Sequence, residues 1–313
     1  MSSTSFKAWF LLFRPWSVTA TLVPFLVAAA LGSAEANLQW LRWSGGLFAG
    51  ILFQATVNLL NTWGDEKSGV DNVPGAIRTT PQVHDGLVSL RSVLVVGLAC
   101  AFLAATIGLL LCFQNVNGNW IVNIPLLAAG FVGFLGSTNY STGVKFKYHG
   151  LGVPFVSFLM GPLEIFVALQ IFCPEAFTPL QIVRVLLFAL PIAALVGVIM
   201  HGNDMRDIPT DRAAGIVTLA SRLGPSHALA YYVVCHIFPH LFCLVWAIRS
   251  SWHALIPLLV LPLSVKTIRT ATRIYRQNPL QPKWIGLERA SGGIHFLFGI
   301  LYAVSLALVT LTK

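Results

Sequence analysis

The chain has 313 residues, of which 56% are hydrophobic and only 10% charged, with a mean hydropathy of +0.76. That balance excludes an ordinary soluble domain and points to a chain that crosses a membrane several times. The net charge of +9 would suit nucleic acid only if a soluble basic domain carried it, and the apolar runs leave room for none.

In chain order, nine apolar segments of spanning length lie at roughly 15–36, 44–62, 89–113, 120–140, 151–172, 181–203, 227–248, 252–270 and 290–311. No polar linker long enough to separate two units interrupts them, so residues 1–313 read as one all-α transmembrane domain. The first segment is long enough to span and predicts a transmembrane helix rather than a cleavable signal. Pro257 and Pro262 interrupt the eighth segment and predict a kink there. Five cysteines (Cys100, Cys112, Cys173, Cys235 and Cys243) lie in or beside apolar runs without a paired spacing, and read as small core residues.

The basic residues set the orientation. Lys7 and Arg14 precede the first segment, Lys67, Arg78 and Arg91 lie between the second and third, and Lys145 and Lys147 between the fourth and fifth. Arg206, Arg212 and Arg222 follow the sixth, and six more surround the connection from the eighth to the ninth. Only Arg42, Arg184, Arg249 and Lys313 fall on the other side, so the first side is expected to face the cytoplasm. In a bacterium this would be the inner membrane. The basic rim can attract anionic head groups or an anionic substrate.

Two acidic stretches close apolar segments on that side. The second segment ends in NTWGDEKSGVD, with Asn61 and Asp65 four apart and Asp71 beyond them. The sixth runs into HGNDMRDIPTDRAAG, where Asn203, Asp207 and Asp211 are spaced by four and form one stripe if the helix continues. Carboxylates at the end of a membrane-length run are expensive and usually functional, against the plainer reading of a solvated helix end. Amide and carboxylate oxygens without Cys or His suit a hard cation, and Mg²⁺ is normally shared with substrate phosphate. The two Asn-x-x-x-Asp units are four spans apart, so a parallel repeat of four helices plus a ninth would set them across a central cavity.

The loops add Arg78, an anion binder, and NYSTGVKFKYHGLG, which brings Tyr140, Lys145, Lys147 and Tyr148 to the same mouth. On spacing alone the lysines read as snorkelling anchors and the tyrosines as belt residues. His84, His149 and His201 show no metal-triad spacing and read as surface or rim groups. Carboxylates for Mg²⁺, cations for a diphosphate and an apolar cavity behind them describe a site for an isoprenyl diphosphate.

The stretches FRPWSVTATLVP, NLLNTWGDEKSGVD, GAIR, KYHGLG, NDMRDIPTDRAAGIVTLASRLG and PLSVK span nearly the whole chain, and by them it resembles the UbiA superfamily of intramembrane prenyltransferases. More narrowly it is similar to the menaquinone branch, the 1,4-dihydroxy-2-naphthoate polyprenyltransferases. The resemblance implies nine helices around a central cavity that opens to the cytoplasm. Asn61, Asp65, Asp71, Asn203, Asp207 and Asp211 would then hold Mg²⁺ and diphosphate. Arg78 would contact the diphosphate, Lys147 with Tyr140 would lie at the reacting end, and Lys145 would be a further diphosphate contact. The activity implied is prenyl transfer to an aromatic acceptor, with dihydroxynaphthoate losing CO₂. Thr62 stands where the family often has Asp, and Val153 follows the GLG turn where an acid is common. A terpene cyclase with the same diphosphate site and a membrane transporter are the competing classes. The transporter is disfavoured because the polar residues gather at one mouth.

Overall fold

Lipid offers no partner for a peptide N–H or C=O, so an apolar run crosses as a helix. The computed structural model describes residues 3–33, 38–68, 81–116, 119–140, 143–173, 178–213, 215–280 and 282–312. Among them, eight helical segments are long and apolar enough to cross a membrane, and a ninth apolar helix, Ile124–Thr138, is shorter. The chain is therefore an all-α, multi-pass membrane protein.

The first crossing is α1 (Ser3–Phe13) and α2 (Val18–Leu31), joined by a 3₁₀ turn at Pro15–Ser17. α3 (Trp40–Ser68), a short α4 (Pro81–His84) and α5 (Leu90–Cys112) follow. A small antiparallel hairpin, β1 (Phe113–Val116) with β2 (Asn119–Val122), precedes α6 (Ile124–Thr138), with Gln114 opposite Ile121. The fifth crossing is α7 (Gly152–Phe158), a π turn at Leu159–Leu163 and α8 (Glu164–Phe172). The remaining four are α9 (Pro179–Ala213), α10 (Leu219–Arg249), a 3₁₀ stretch Trp252–Val260 leading into α11 (Leu261–Gln277), and α12 (Leu287–Leu311).

Several boundaries differ from the sequence reading, each for a local reason. The fourth segment begins as strand: the helix starts only at Ile124, where the Asn123 side chain accepts from the Leu126 N–H at 2.9 Å. The sixth does not stop near 203, because α9 carries the whole acidic stretch to Ala213. Pro162 lies in the π turn that breaks the fifth, and Pro257 lies in the 3₁₀ stretch of the eighth.

α2 packs on α12, so the first and last crossings meet and the bundle closes; α9 lies against α7, α10 and α12, α3 against α5, and α6 against α5 and α8. The largest core cluster joins α2, α8, α9 and α12 through Phe25, Phe172, Ile192, Phe298 and Tyr302. Small residues let backbones approach: a Cβ at Gly161 would lie 2.7 Å from the Ala193 Cβ and 2.9 Å from its Cα. The outer faces remain apolar and exposed, as at Phe102, Val245 and Leu259, which suits lipid contact.

His201 is not a rim group. It is fully buried, and its Nε2 lies 2.9 Å from the Ala228 carbonyl of α10, an exchange made possible because α9 runs on beside α10. Further buried polar pairs tie the last crossings together, with His236 and Tyr232 on Ser291, and His240 on Ser264.

Candidate active site

A cavity of about 630 Å³ opens among α3, α5, α6, the fifth crossing and α9. Its walls divide by chemistry. At the motif end stand acids, amides and three cations; further in stand Phe25, Phe53, Leu126, Val167 and Ile171. Leu109, Phe131 and Phe134 line it while remaining exposed, so it also opens sideways between α5 and α6.

Helical spacing places the acids. On α3, Asn58, Asn61 and Asp65 recur every three to four residues and share the inward face. On α9, Asn203, Asp207 and Asp211 form the expected stripe on the cavity wall, and Asp204 beside them also faces in. Asp65, Asp204 and Asp211 are each under a tenth exposed, so ionised oxygens there need partners.

Those partners come from other elements. Asp65 Oδ1 accepts from the Tyr148 hydroxyl at 2.9 Å, and its Oδ2 lies 3.7 Å from Lys147 Nζ. Asp211 Oδ2 accepts from the Thr218 hydroxyl at 3.3 Å, at the N-cap of α10. Asp207 is clamped by its neighbour Arg206, Nε to Oδ1 at 2.8 Å and Nη2 to Oδ2 at 2.6 Å. Arg206 Nη1 also reaches Glu288 of α12 at 3.4 Å. Asn58 donates to the Phe13 carbonyl and to Ser17 Oγ, fixing the start of α2 against α3.

Lys147 sits on a 3₁₀ turn, Phe146–Tyr148, set by Lys145 in the left-handed region at φ 56°. The turn is pinned to the segment after α9: Val217 N–H donates to the Tyr148 carbonyl, and Arg222 donates to the His149 carbonyl. Burial opposes the charge on Lys147, but the nearby Asp65, with Asp204 beyond it, outweighs it and holds its pKa above the ordinary lysine value. Lys147 therefore stays an ammonium facing both motifs. Burial pushes the Tyr140 phenol up as well, so it is neutral.

Of the residues singled out in the sequence, the structure brings Asn61, Asp65, Tyr140, Lys147, Asn203, Asp207 and Asp211 to one cavity wall. Lys145 is not among them: its side chain is exposed and lies over the ring of Tyr148, because the left-handed residue turns outward where the next turns in. Asp71 and Arg78 lie outside the described residues. Val153 is fully buried and points at Gly197 of α9, 3.6 Å from where a Cβ would be, so its side chain faces away from the cavity. The sequence reading missed Arg14, Asn58, Asp204 and Arg206 as lining residues and Tyr148 as the holder of Asp65. Asp204 and Arg206 were in plain view inside NDMRD, and Arg14 inside FRPW.

Among the described residues, no three His, Cys, Asp or Glu side chains come together as a metal cage. The wall instead spreads its carboxylates over two helices, Asp65 on α3 and Asp207 and Asp211 on α9, an open arrangement that suits Mg²⁺ when substrate phosphate supplies other ligands. The donor set, oxygen only, fits that ion.

A bundle with a cavity that is charged at one end and greasy along its length defines an intramembrane enzyme for an anion carrying an apolar chain. Residues 21–292 match the model of the UbiA prenyltransferase family, and the chain belongs to that family. It is 30% identical over 303 residues to UbiA prenyltransferase domain-containing protein 1 of Gallus gallus, covering 96% of this chain and 86% of the relative. The Homo sapiens protein of the same name is 28% identical, over 93% and 82% of the two chains. These relatives do not single out the menaquinone branch. The fold matches a UbiA homologue from Archaeoglobus fulgidus, solved bound to GPP and Mg²⁺, with a TM-score of 0.62 at 18% identity over 96% of this chain and all of that one.

Proposed function

We propose that this prenyltransferase moves an isoprenyl chain from its diphosphate to an aromatic acceptor, with Mg²⁺ at the mouth, and that the acceptor is 1,4-dihydroxy-2-naphthoate. The observation that supports the reading is the division of one cavity into a charged mouth and an apolar limb. Asp65, Asp207 and Asp211, with Asn61 and Asn203, hold the metal and the diphosphate, and the motif assigns Asp71 and Arg78 to the same task. Mg²⁺ bound there supplies charge neutralisation to the departing diphosphate. Lys147 adds a fixed ammonium beside Asp65, so positive charge waits where negative charge develops. The allylic C–O bond breaks with its electron pair leaving on the diphosphate. Tyr140, buried and neutral, and the aromatic walls keep water from the cation.

The ring carbon bearing the carboxylate then bonds to the allylic carbon. The carbon–carboxylate bond breaks, CO₂ leaves, and its electron pair restores the ring. The side chain of Val153 is buried against α9 and is not part of the cavity wall, so the missing acid leaves that wall unchanged. The basic rim supports a motif side that faces the cytoplasm.

Product analysis tests the reading. Purified protein with Mg²⁺, geranylgeranyl diphosphate and dihydroxynaphthoate is expected to give a prenylated, decarboxylated naphthoquinol only when both substrates are present. Diphosphate release with no such product would refute this acceptor, and a cyclised hydrocarbon from the donor alone would refute transfer itself.

A further inference from the structure

Below the mouth, the cavity wall carries one more acid. Glu164 opens α8, and among the described lining residues the other charged side chains all gather at the motif end. It lies on the cavity wall, only half-buried, its carboxyl accepts from the hydroxyl of buried Thr21 on α2, and Oε1 is 3.7 Å from where a Cβ on Gly50 of α3 would stand. Glu164 therefore lines the cavity beside Thr21 of α2 and faces α3 across a side-chain-free step.

Its depth follows from helix rise. Asp65 and Gly50 are fifteen residues apart on α3, roughly 22 Å at 1.5 Å per residue. From Gly152, beside Lys147, to Glu164 the rise is roughly 18 Å on the same basis. Past Glu164 the cavity continues between Phe25, Gly46, Val167 and Ile171, again apolar. A polar group thus divides two greasy compartments, one open to the mouth and one behind it.

We propose that Glu164 sets the length of isoprenyl chain the cavity accepts. This rests on the reading of the cavity as a prenyl diphosphate site. A tail lying in the front compartment is buried against apolar walls. A tail extended past Glu164 must lay its methylenes against a carboxyl and leave that polar group packed on hydrocarbon, which opposes the gain from burying further methylenes.

The experiment measures Mg²⁺-dependent binding of unreactive thiolodiphosphate analogues, from dimethylallyl through geranyl, farnesyl and geranylgeranyl to longer chains, by purified protein. No acceptor is needed, so an error over the acceptor does not reach this test. In the unmodified protein, affinity is expected to climb with each isoprene until the tail reaches Glu164 and then to stop climbing. Glu164→Met, of similar volume but apolar, is expected to let it climb further, by at least about tenfold for the first chain beyond the break. Glu164→Gln, still polar, is expected to keep the break. An unbroken climb in the unmodified protein, or the same break in Glu164→Met, would overturn the proposal. A loss shared equally by all chain lengths would show that Glu164 only ties α8 to α2, and overturn it too. If no analogue binds at any length, the diphosphate site itself fails, and the ruler with it.

Discussion

Replacing Tyr148 with Phe separates how Asp65 is oriented from what its charge does. Tyr148 and Lys147, both among the described residues, reach this carboxylate, and they are not equivalent. The Tyr148 hydroxyl is at hydrogen-bonding distance, 2.9 Å, whereas Lys147 Nζ at 3.7 Å is an ion pair without a short directional bond. Tyr148 therefore fixes the plane of the carboxylate, and Lys147 balances its charge. A hydrogen bond to a charged group contributes about 1.5–3 kcal/mol, or roughly 10- to 150-fold in an equilibrium constant. Tyr148→Phe is expected to raise the Mg²⁺ concentration for half-maximal rate by about 10- to 100-fold. Rate at saturating Mg²⁺ should recover to within about threefold, because the charge is still present. Asp65→Asn keeps an oxygen acceptor for Tyr148 but removes the charge, and should abolish turnover at any Mg²⁺ concentration. The assay is initial rate against Mg²⁺ at fixed donor and acceptor. If Tyr148→Phe lowers the saturated rate and leaves the Mg²⁺ midpoint unmoved, Tyr148 acts on the reacting groups and the orientation argument fails.

Lys147→Ala should lower the rate of the chemical step by at least about tenfold while changing donor affinity far less, since its ammonium matters most as charge develops; single-turnover rates and donor Kd measured together check this, and equal losses in both would make it a plain diphosphate contact. Gly161→Ala forces a methyl against the Ala193 backbone, only 2.9 Å away, which cannot rotate aside. It should destabilise the contact of the π turn with α9 by about 1–3 kcal/mol, seen as a lower unfolding temperature in detergent, and an unchanged temperature would show that the two segments separate freely.

The stripe Asn203, Asp207, Asp211 was legible because a period of four keeps oxygens on one helix face whatever packs around it. Asp204 and Arg206 were not, since they become lining residues only because the cavity wraps more than one face of α9. The same limit applies to Tyr148, whose contact with Asp65 joins positions far apart in the chain through a left-handed residue at Lys145 and a strand-like link to Val217. Lys145 and Lys147 are indistinguishable by charge and spacing, and only the backbone turn between them sends one outward and one inward. The strand Asn119–Val122 was hidden because Trp120, Ile121 and Val122 run straight into the next apolar segment. Glu164 stood in an apolar run with nothing nearby in sequence to pair with it. Its meaning depends on Thr21 and Gly50, brought beside it by two other helices.

The charges at the mouth lead to one further expectation, about the order in which ligands enter. Among the described lining residues there, four carboxyl side chains, Asp65, Asp204, Asp207 and Asp211, face three cations, Arg14, Lys147 and Arg206. Asp71 and Arg78, which the motif adds, have opposite signs and leave that balance unchanged. Arg206 is already committed to Asp207 and Glu288. A diphosphate approaching this wall without a cation therefore meets carboxylates it cannot neutralise. Two like unit charges 4 Å apart at an effective dielectric of 20 repel by about 4 kcal/mol, close to a thousandfold in affinity. Chelating divalent metal should then weaken donor binding itself by at least about a hundredfold, and not merely stop the reaction. Equilibrium binding of geranyl thiolodiphosphate with and without EDTA measures this directly. Equal affinity in both would mean that the protein's own cations suffice, and that the acids at the mouth serve some step after binding.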